Sequence, residues 1–398
     1  MCLLAATLAA LMTGACSAPG DTSAPTVAAQ PDAAAPSAVD AAATAAGATV
    51  DLSSELEALR KTHGLPALAG AVYRDGALVG AGAAGVRKLG DPTAVTSSDV
   101  WHLGSCTKAM TATLVGLLVE EGKLSWTDKI ATLLPDAVVD PSFASATVEM
   151  LLQHIAGFAE DIPPALFDDM WAAAERAEAP EVTRKRVVYA TLAKPAGVPV
   201  GSFAYSNTGY MAAGVVLERA TGKSWETLMK ERLFAPLGMN RCGFGPAATA
   251  PATVDQPWAH FEESGKLVAV APDVYGDNPR SMGPAGTVHC PLEDWAKFLN
   301  AHLEGPKGRS KLASAATFQR LQTPPKGGTY AAGWDVGTRP WAGGTTLSHS
   351  GSNTMNLVTT WIAPAKGLVM MVATNAATSG ADLAVDAAFA PMVERFGK

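Results

Sequence analysis

The chain has 398 residues, 48% of them hydrophobic and 17% charged, with a formal net charge of −7 at pH 7. That length holds one large domain or two ordinary ones, and the apolar share excludes a chain disordered throughout. The acidic balance and the lack of any basic tract exclude nucleic acid as a partner.

Residues 1–16 stand apart. Leu3 to Met12 is an apolar run too short to span a bilayer, and it ends at Thr13-Gly14-Ala15-Cys16. Small residues before a cysteine resemble the bacterial lipobox, with Thr13 where that pattern usually has leucine. The reading is an export signal over 1–16, either a lipoprotein signal whose acylated Cys16 tethers the protein to a membrane or an ordinary export signal, placing the protein in the periplasm or cell envelope. The positively charged stretch that normally opens such a signal is missing, which points to a start further upstream. Residues 17–50 are almost all Ala, Pro, Ser, Thr, Gly and Val, the composition of a linker that lifts a domain off a surface. The folded domain is expected over 51–398.

Residues 52–62 suit an amphipathic helix, with Leu52, Leu56 and Leu59 on one side. A hairpin follows: Leu68 to Arg74, the turn Asp75-Gly76, then Ala77 to Val86. Next comes Trp101-His102-Leu103-Gly104-Ser105-Cys106-Thr107-Lys108, leading into a helix whose apolar residues recur at 110, 114, 117 and 118. Ala112, Val115 and Val119 fill its other faces, so this helix is central, and Gly122 stops it. From Trp126 to about Gly283 the pattern is mostly helical. Helices are predicted over 147–154, 184–192, 208–221 and 225–234, with 159–183 and 246–282 as loops over a cleft. A further helix covers 291–303. Strands are predicted over 333–337, 345–349, 357–362 and 368–373, and a closing helix over 381–396.

Two early strands and several late ones give an α+β fold, one antiparallel sheet built from both ends of the chain and flanked by terminal helices. The helical middle, about 105–283, is an insertion; the sheet part takes about 51–104 and 284–398. Five cysteines do not form a disulfide framework or a metal site. Cys106 reads as a small core residue. A Cys242–Cys290 bridge is possible in an exported protein, but spacing leaves it open.

Ser105 and Lys108 are three apart, which in the first turn of a helix puts both on one face. A serine hydroxyl needs a base to take its proton, and a lysine can be that base only when neutral. Its pKa must then fall by roughly three units, at a cost of about 4–5 kcal/mol. Tyr205 and Asn207 alternate along an extended segment and point the same way. A phenol can pass a proton if neighbouring cations lower its pKa, and an amide can hold both a lysine and a substrate carbonyl. His349 lies at a strand edge before Gly351, where substrate backbone could approach. It could supply positive charge to a substrate carboxylate or help polarise Tyr205. Each of these residues also has a plain structural explanation. Tyr205 could be core, Asn207 a helix cap and His349 a solvent-facing strand residue.

The ordered set Ser105-x-x-Lys108, Tyr205-x-Asn207 and His349-x-Gly351 resembles the serine β-lactamase and penicillin-recognising superfamily, in particular its class C-like branch. That branch includes class C β-lactamases, D-alanyl-D-alanine carboxypeptidases, D-aminopeptidases and certain esterases. Leu151-Leu152-Gln153-His154-Ile155-Ala156-Gly157, Pro236-Leu237-Gly238-Met239 and Gly283-Pro284-Ala285-Gly286 look familial too, so the resemblance covers roughly 52–396. It implies a β-lactamase/transpeptidase-like fold and a serine hydrolase that needs no cofactor and no metal, acting on a small-molecule or peptide substrate. Ser105 would be the acylated nucleophile. Lys108 and Tyr205 would share the acid and base work. Asn207 would orient Lys108 and the substrate. His349 would replace the lysine of the usual Lys-Thr-Gly, and the N–H groups of Ser105 and Ser352 would form the oxyanion hole. The histidine favours a D-amino-acid peptidase or an esterase over an efficient β-lactamase. The alternatives are a class C-like β-lactamase, a penicillin-binding sensor or scaffold with little turnover, and an inactive relative that binds wall fragments through the cleft.

Overall fold

A computed structural model describes residues 49–249 and 252–398. The signal over 1–16, Cys16 and all but the last two residues of the 17–50 linker therefore lie outside the described residues. The described residues fall within one compact unit, 46–398.

The two early apolar runs form the expected hairpin, Ala67–Arg74 and Ala77–Gly85. Asp75 and Gly76 both take positive φ, 50° and 82°, the geometry that matches the twist of a two-residue hairpin. The late strands are Asp335–Arg339, Gly344–Ser352, Leu357–Ala363 and Leu368–Thr374. Leu368–Thr374 pairs with Ala67–Arg74, joining the two ends of the chain into one seven-stranded sheet. One correction concerns strand direction. The edge strand Val50–Asp51 runs parallel to Ala77–Gly85, so the sheet is mixed rather than wholly antiparallel.

Side chains alternate across the first hairpin strand. Leu68 and Val72 face a core shared with Leu56, Val385, Phe389 and Met392. These come from the helices Ser53–Thr62 and Ser379–Phe396, which cover that side of the sheet. Ala67, Ala69 and Ala71 face a second, larger core with Trp295 and Leu299 of the helix Leu292–Glu304. The same core takes in the central helix Thr107–Glu120, in which every residue from Thr107 to Leu118 is buried. This explains why its apolar residues ignore any single stripe.

The two stretches of the insertion read as loops carry elements of their own. The stretch read as loop over 159–183 contains the helix Pro164–Glu175, and that over 246–282 contains the hairpin Ala259–Glu263 and Lys266–Val270. The segment 284–334 holds the helix expected over 291–303, Leu292–Glu304, and a second one, Ala315–Leu321. A small sheet of Val100–His102, Val288–Pro291 and Gly243–Phe244 ties the approach to Ser105 to the far end of the insertion. In that sheet Gly243 lies opposite His289, which sets Cys242 opposite Cys290, and the two form a disulfide.

The bridge joins residues 48 apart, so loop-closure entropy assigns it about 4 kcal/mol of stability. Reduction is expected to lower the thermal midpoint by several degrees, and Cys242→Ser to lower it equally and to abolish the effect of reductant; a calorimetric scan with and without dithiothreitol checks both.

Candidate active site

Ser105 sits in a short 3₁₀ turn, Gly104–Cys106, that runs straight into the central helix. Lys108 is one turn further on and fully buried. Its Nζ lies 3.0 Å from Ser105 Oγ, 2.8 Å from Asn207 Oδ1 and 2.8 Å from the carbonyl of Ala285. Two of these three partners can only accept. A neutral amine has two N–H groups for Asn207 and Ala285, and its lone pair is left to receive the Ser105 proton. Burial pushes the Lys108 amine down to about 7, which makes that neutral form available.

Asn207 is free for this work because Ser206 caps the helix Asn207–Thr221, its hydroxyl accepting from the Gly209 N–H at 3.3 Å. The cap explanation for Asn207 is thereby ruled out. Tyr205, just before the cap, is held by His154 on three counts. The carbonyl of His154 accepts the Ala204 N–H at 2.9 Å, its Nδ1 accepts the Ser206 N–H at 2.9 Å, and its ring lies 4.3 Å from the Tyr205 ring. His154 adopts φ of 58°, the left-handed region in which a non-glycine residue is strained. Burial and the nearby Lys108 push its imidazole down to about 2, so the ring beneath Tyr205 is neutral.

The Tyr205 phenol corrects one expectation. Its pKa is raised, not lowered: burial disfavours the phenolate, and a hydrogen bond with Ser105 opposes this only in part. The phenol therefore keeps its proton, and the amine of Lys108 is the group of the site pushed toward its unprotonated form. His349 corrects another. It is buried, with Nδ1 2.6 Å from the Ser350 carbonyl and Nε2 2.9 Å from the Tyr330 hydroxyl. A carbonyl can only accept, so Nδ1 carries the proton and Nε2 takes the Tyr330 O–H. Burial first, and Lys108 second, push this imidazole down to about 3. His349 is neutral and supplies no positive charge.

Gly351 and Gly104 bring the two N–H groups of the expected oxyanion hole together. A Cβ on Gly351 would stand 2.0 Å from the Leu103 carbonyl and 2.8 Å from the Ser105 nitrogen. A Cβ on Gly104, whose φ is 48°, would stand 2.3 Å from the Ser352 nitrogen. The turn bearing Ser105 and the strand bearing Ser352 thus touch backbone to backbone, which only glycine permits. Cys106 is the buried core residue expected, its Sγ 3.4 Å from the His349 carbonyl.

All five side chains singled out from the sequence converge here, with Gly351 and Ser352 beside them. Sequence reasoning missed Tyr330 and the work of His154 and Ala285. The last two stand in segments that looked familial, which was the available signal. Among the described residues, no group of three or more His, Cys, Asp and Glu could hold a metal ion.

Residues 52–391 match the model of the Beta-lactamase family. The chain is 32% identical over 333 residues to Penicillin-binding protein 4 of Amycolatopsis lactamdurans, covering 80% of this chain and 83% of the relative. The octameric penicillin-binding protein homologue of Pyrococcus abyssi superposes with a TM-score of 0.69 at 24% identity, covering 86% of this chain and 76% of that one. The D-amino acid amidase of Ochrobactrum anthropi does so with a TM-score of 0.67 at 20% identity, covering 86% and 99%. The chain belongs to the Beta-lactamase family, within the serine β-lactamase and penicillin-binding superfamily, and is a serine hydrolase.

The amine assigns the acid limb of the pH profile. The rate of acylation should rise with pH and level off above about 7, as Lys108 loses its proton. Tyr205→Phe should cut that rate by about 10²–10⁴ without moving the limb, because the phenol does not titrate there; stopped-flow acylation between pH 5 and 9 checks both.

Proposed function

We propose that this protein cleaves amides or esters through an acyl-enzyme on Ser105, and that its natural substrates are D-amino-acid amides, short D-peptides or related esters. The observation that carries the reading is the buried Lys108 amine, 3.0 Å from Ser105 Oγ with both of its N–H groups accounted for. In the acylation step Ser105 Oγ attacks the carbonyl carbon while its proton passes to Lys108. The oxyanion forms against the N–H groups of Ser105 and Ser352, where each such donor is worth about 10²–10³ in rate. The Tyr205 phenol protonates the departing nitrogen or oxygen and is reprotonated from Lys108, which leaves the amine free again. Water then repeats the attack on the acyl-enzyme, with Lys108 as base and Ser105 as the leaving group.

The charges at the site favour this substrate class over carboxylate-bearing ones. Among the described residues, the one lysine or arginine whose charge bears on His349 and His154 is Lys108 itself, which must be neutral to act. Asp335, exposed and paired with Ser348 beside His349, adds a carboxylate whose charge opposes ionisation of Tyr205 and Tyr330. With His349 neutral, a substrate carboxylate meets no positive charge from that imidazole. This supports an amidase, aminopeptidase or esterase over a carboxypeptidase or β-lactamase. The Cys242–Cys290 disulfide supports action outside the cytosol, since such bridges persist in oxidising compartments.

Purified protein is expected to turn over D-phenylalanine amide or p-nitrophenyl acetate many times per active site, and to hydrolyse nitrocefin slowly or not at all. Burst acylation by penicillin without turnover of any ester or amide would instead establish the penicillin-binding sensor. Ser105→Ala should leave a folded protein that forms no adduct with a fluorophosphonate, and EDTA should leave activity unchanged; mass spectrometry and an ester assay read these outcomes.

A further inference from the structure

Asp277 lies in the insertion, ahead of the helical turn Gly283–Gly286, and is almost completely buried. One of its oxygens gathers three donors. Oδ1 is 2.6 Å from His102 Nε2, 2.6 Å from the Asn278 N–H and 3.0 Å from Asn353 Nδ2. The His102 contact lies off the line of a well-aligned hydrogen bond, and Oδ2 has no protein partner.

Each donor leads to a different wall of the active site. His102 Nδ1 accepts the Gly104 N–H at 3.1 Å, so its proton must sit on Nε2, facing Asp277. That places His102 under the peptide next to Ser105. Asn353 follows Ser352, and its Oδ1 accepts the N–H groups of Met355 at 3.2 Å and Asn356 at 2.9 Å, together with Asn356 Nδ2 at 3.1 Å. This fixes the turn that ends the strand. Asn278 Nδ2 donates to the Gly286 carbonyl at 2.9 Å, one residue beyond the carbonyl that holds Lys108. One carboxylate therefore touches the supports of the Ser105 N–H, the Ser352 N–H and the Lys108 amine. His102 and Asn353 are themselves buried, so the network is closed to substrate.

Building on the serine-hydrolase reading, we propose that Asp277 is a positioning residue that sets the spacing of the two oxyanion-hole N–H groups, through His102 on one side and Asn353 on the other. Buried polar networks act as units, and an error near 1 Å at the reacting centre costs about 10²-fold.

Asp277→Asn keeps the shape but places a donor where a carboxylate oxygen stood. In single-turnover reaction with p-nitrophenyl acetate it is expected to lower the acylation rate constant by roughly 10–100-fold while the apparent binding constant stays within about twofold. Affinity for an arylboronic acid, which becomes tetrahedral on Ser105, should fall by a similar factor. Asn353→Ala should act in the same direction, and the double variant should be no worse than the poorer single one, because both remove the same clamp. The proposal is overturned if acylation and boronate affinity are unchanged, if the effects add, or if activity falls only in step with the fraction of folded protein measured by circular dichroism. Should Asp277→Asn not fold, Asn353→Ala decides the matter alone by its boronate affinity. Retained adduct formation in Ser105→Ala would refute the serine reading itself, whereas its loss beside an unaffected Asp277→Asn would refute only the role of Asp277.

Discussion

A lysine amine with no access to water is the constraint around which this molecule is built. Holding Lys108 near 7 instead of its ordinary value costs about 4–5 kcal/mol of folding stability at neutral pH. The sign is fixed. Between about 7 and 10.4 the unfolded chain keeps a proton that the folded chain has lost, so stability rises with pH across that window. The fold spends that energy on chemistry. It provides acceptors for the two N–H groups of a neutral amine and leaves the lone pair facing a hydroxyl. Those acceptors come from distant segments, which requires Ser206 to take over the helix cap and the Gly283–Gly286 turn to pack on the central helix.

The same exclusion of water explains the rest of the site. Lys108, His154, His349 and Tyr205 are all driven toward their uncharged forms, because a low-dielectric environment penalises whichever form is ionised. In the proposed mechanism protons would move among neutral groups, and full charge would appear only as the oxyanion and the protonated amine form together. Both are short-lived and lie beside partners placed in advance, the arrangement in which electrostatic stabilisation acts most strongly. A histidine in place of lysine on the Gly344–Ser352 strand preserves this neutrality.

What the sequence made legible was local. Asp75-Gly76 between two apolar runs marked the hairpin, and the spacing Ser105-x-x-Lys108 marked the reactive turn. Tyr205, Asn207 and His349 were found because their order along the chain matches a known set. What stayed hidden depended on contacts between distant residues. The partnership of Asp277 with His102 spans more than 170 positions, and that of Tyr330 with His349 depends on how a loop folds back on a strand. Protonation states were misread for the same reason. A sequence names an imidazole or a phenol but not how much water surrounds it, so the charge expected on His349 and the acidity expected of Tyr205 both gave way to burial. The parallel pairing of Val50–Asp51 was beyond reach because two residues carry no periodicity.

The sheet joins the first hairpin to the last strand, Leu368–Thr374, and Gly344–Ser352 is tied to that strand through Leu357–Ala363. A polypeptide emerging from its amino end presents Ser105 and Lys108 early, but in water the amine keeps its proton and the alcohol stays inert. Reactivity arrives only when the carboxyl-terminal strands close over the turn. A chain that has not yet closed this sheet thus lacks the buried, unprotonated amine, so hydrolase activity itself would report that folding is complete.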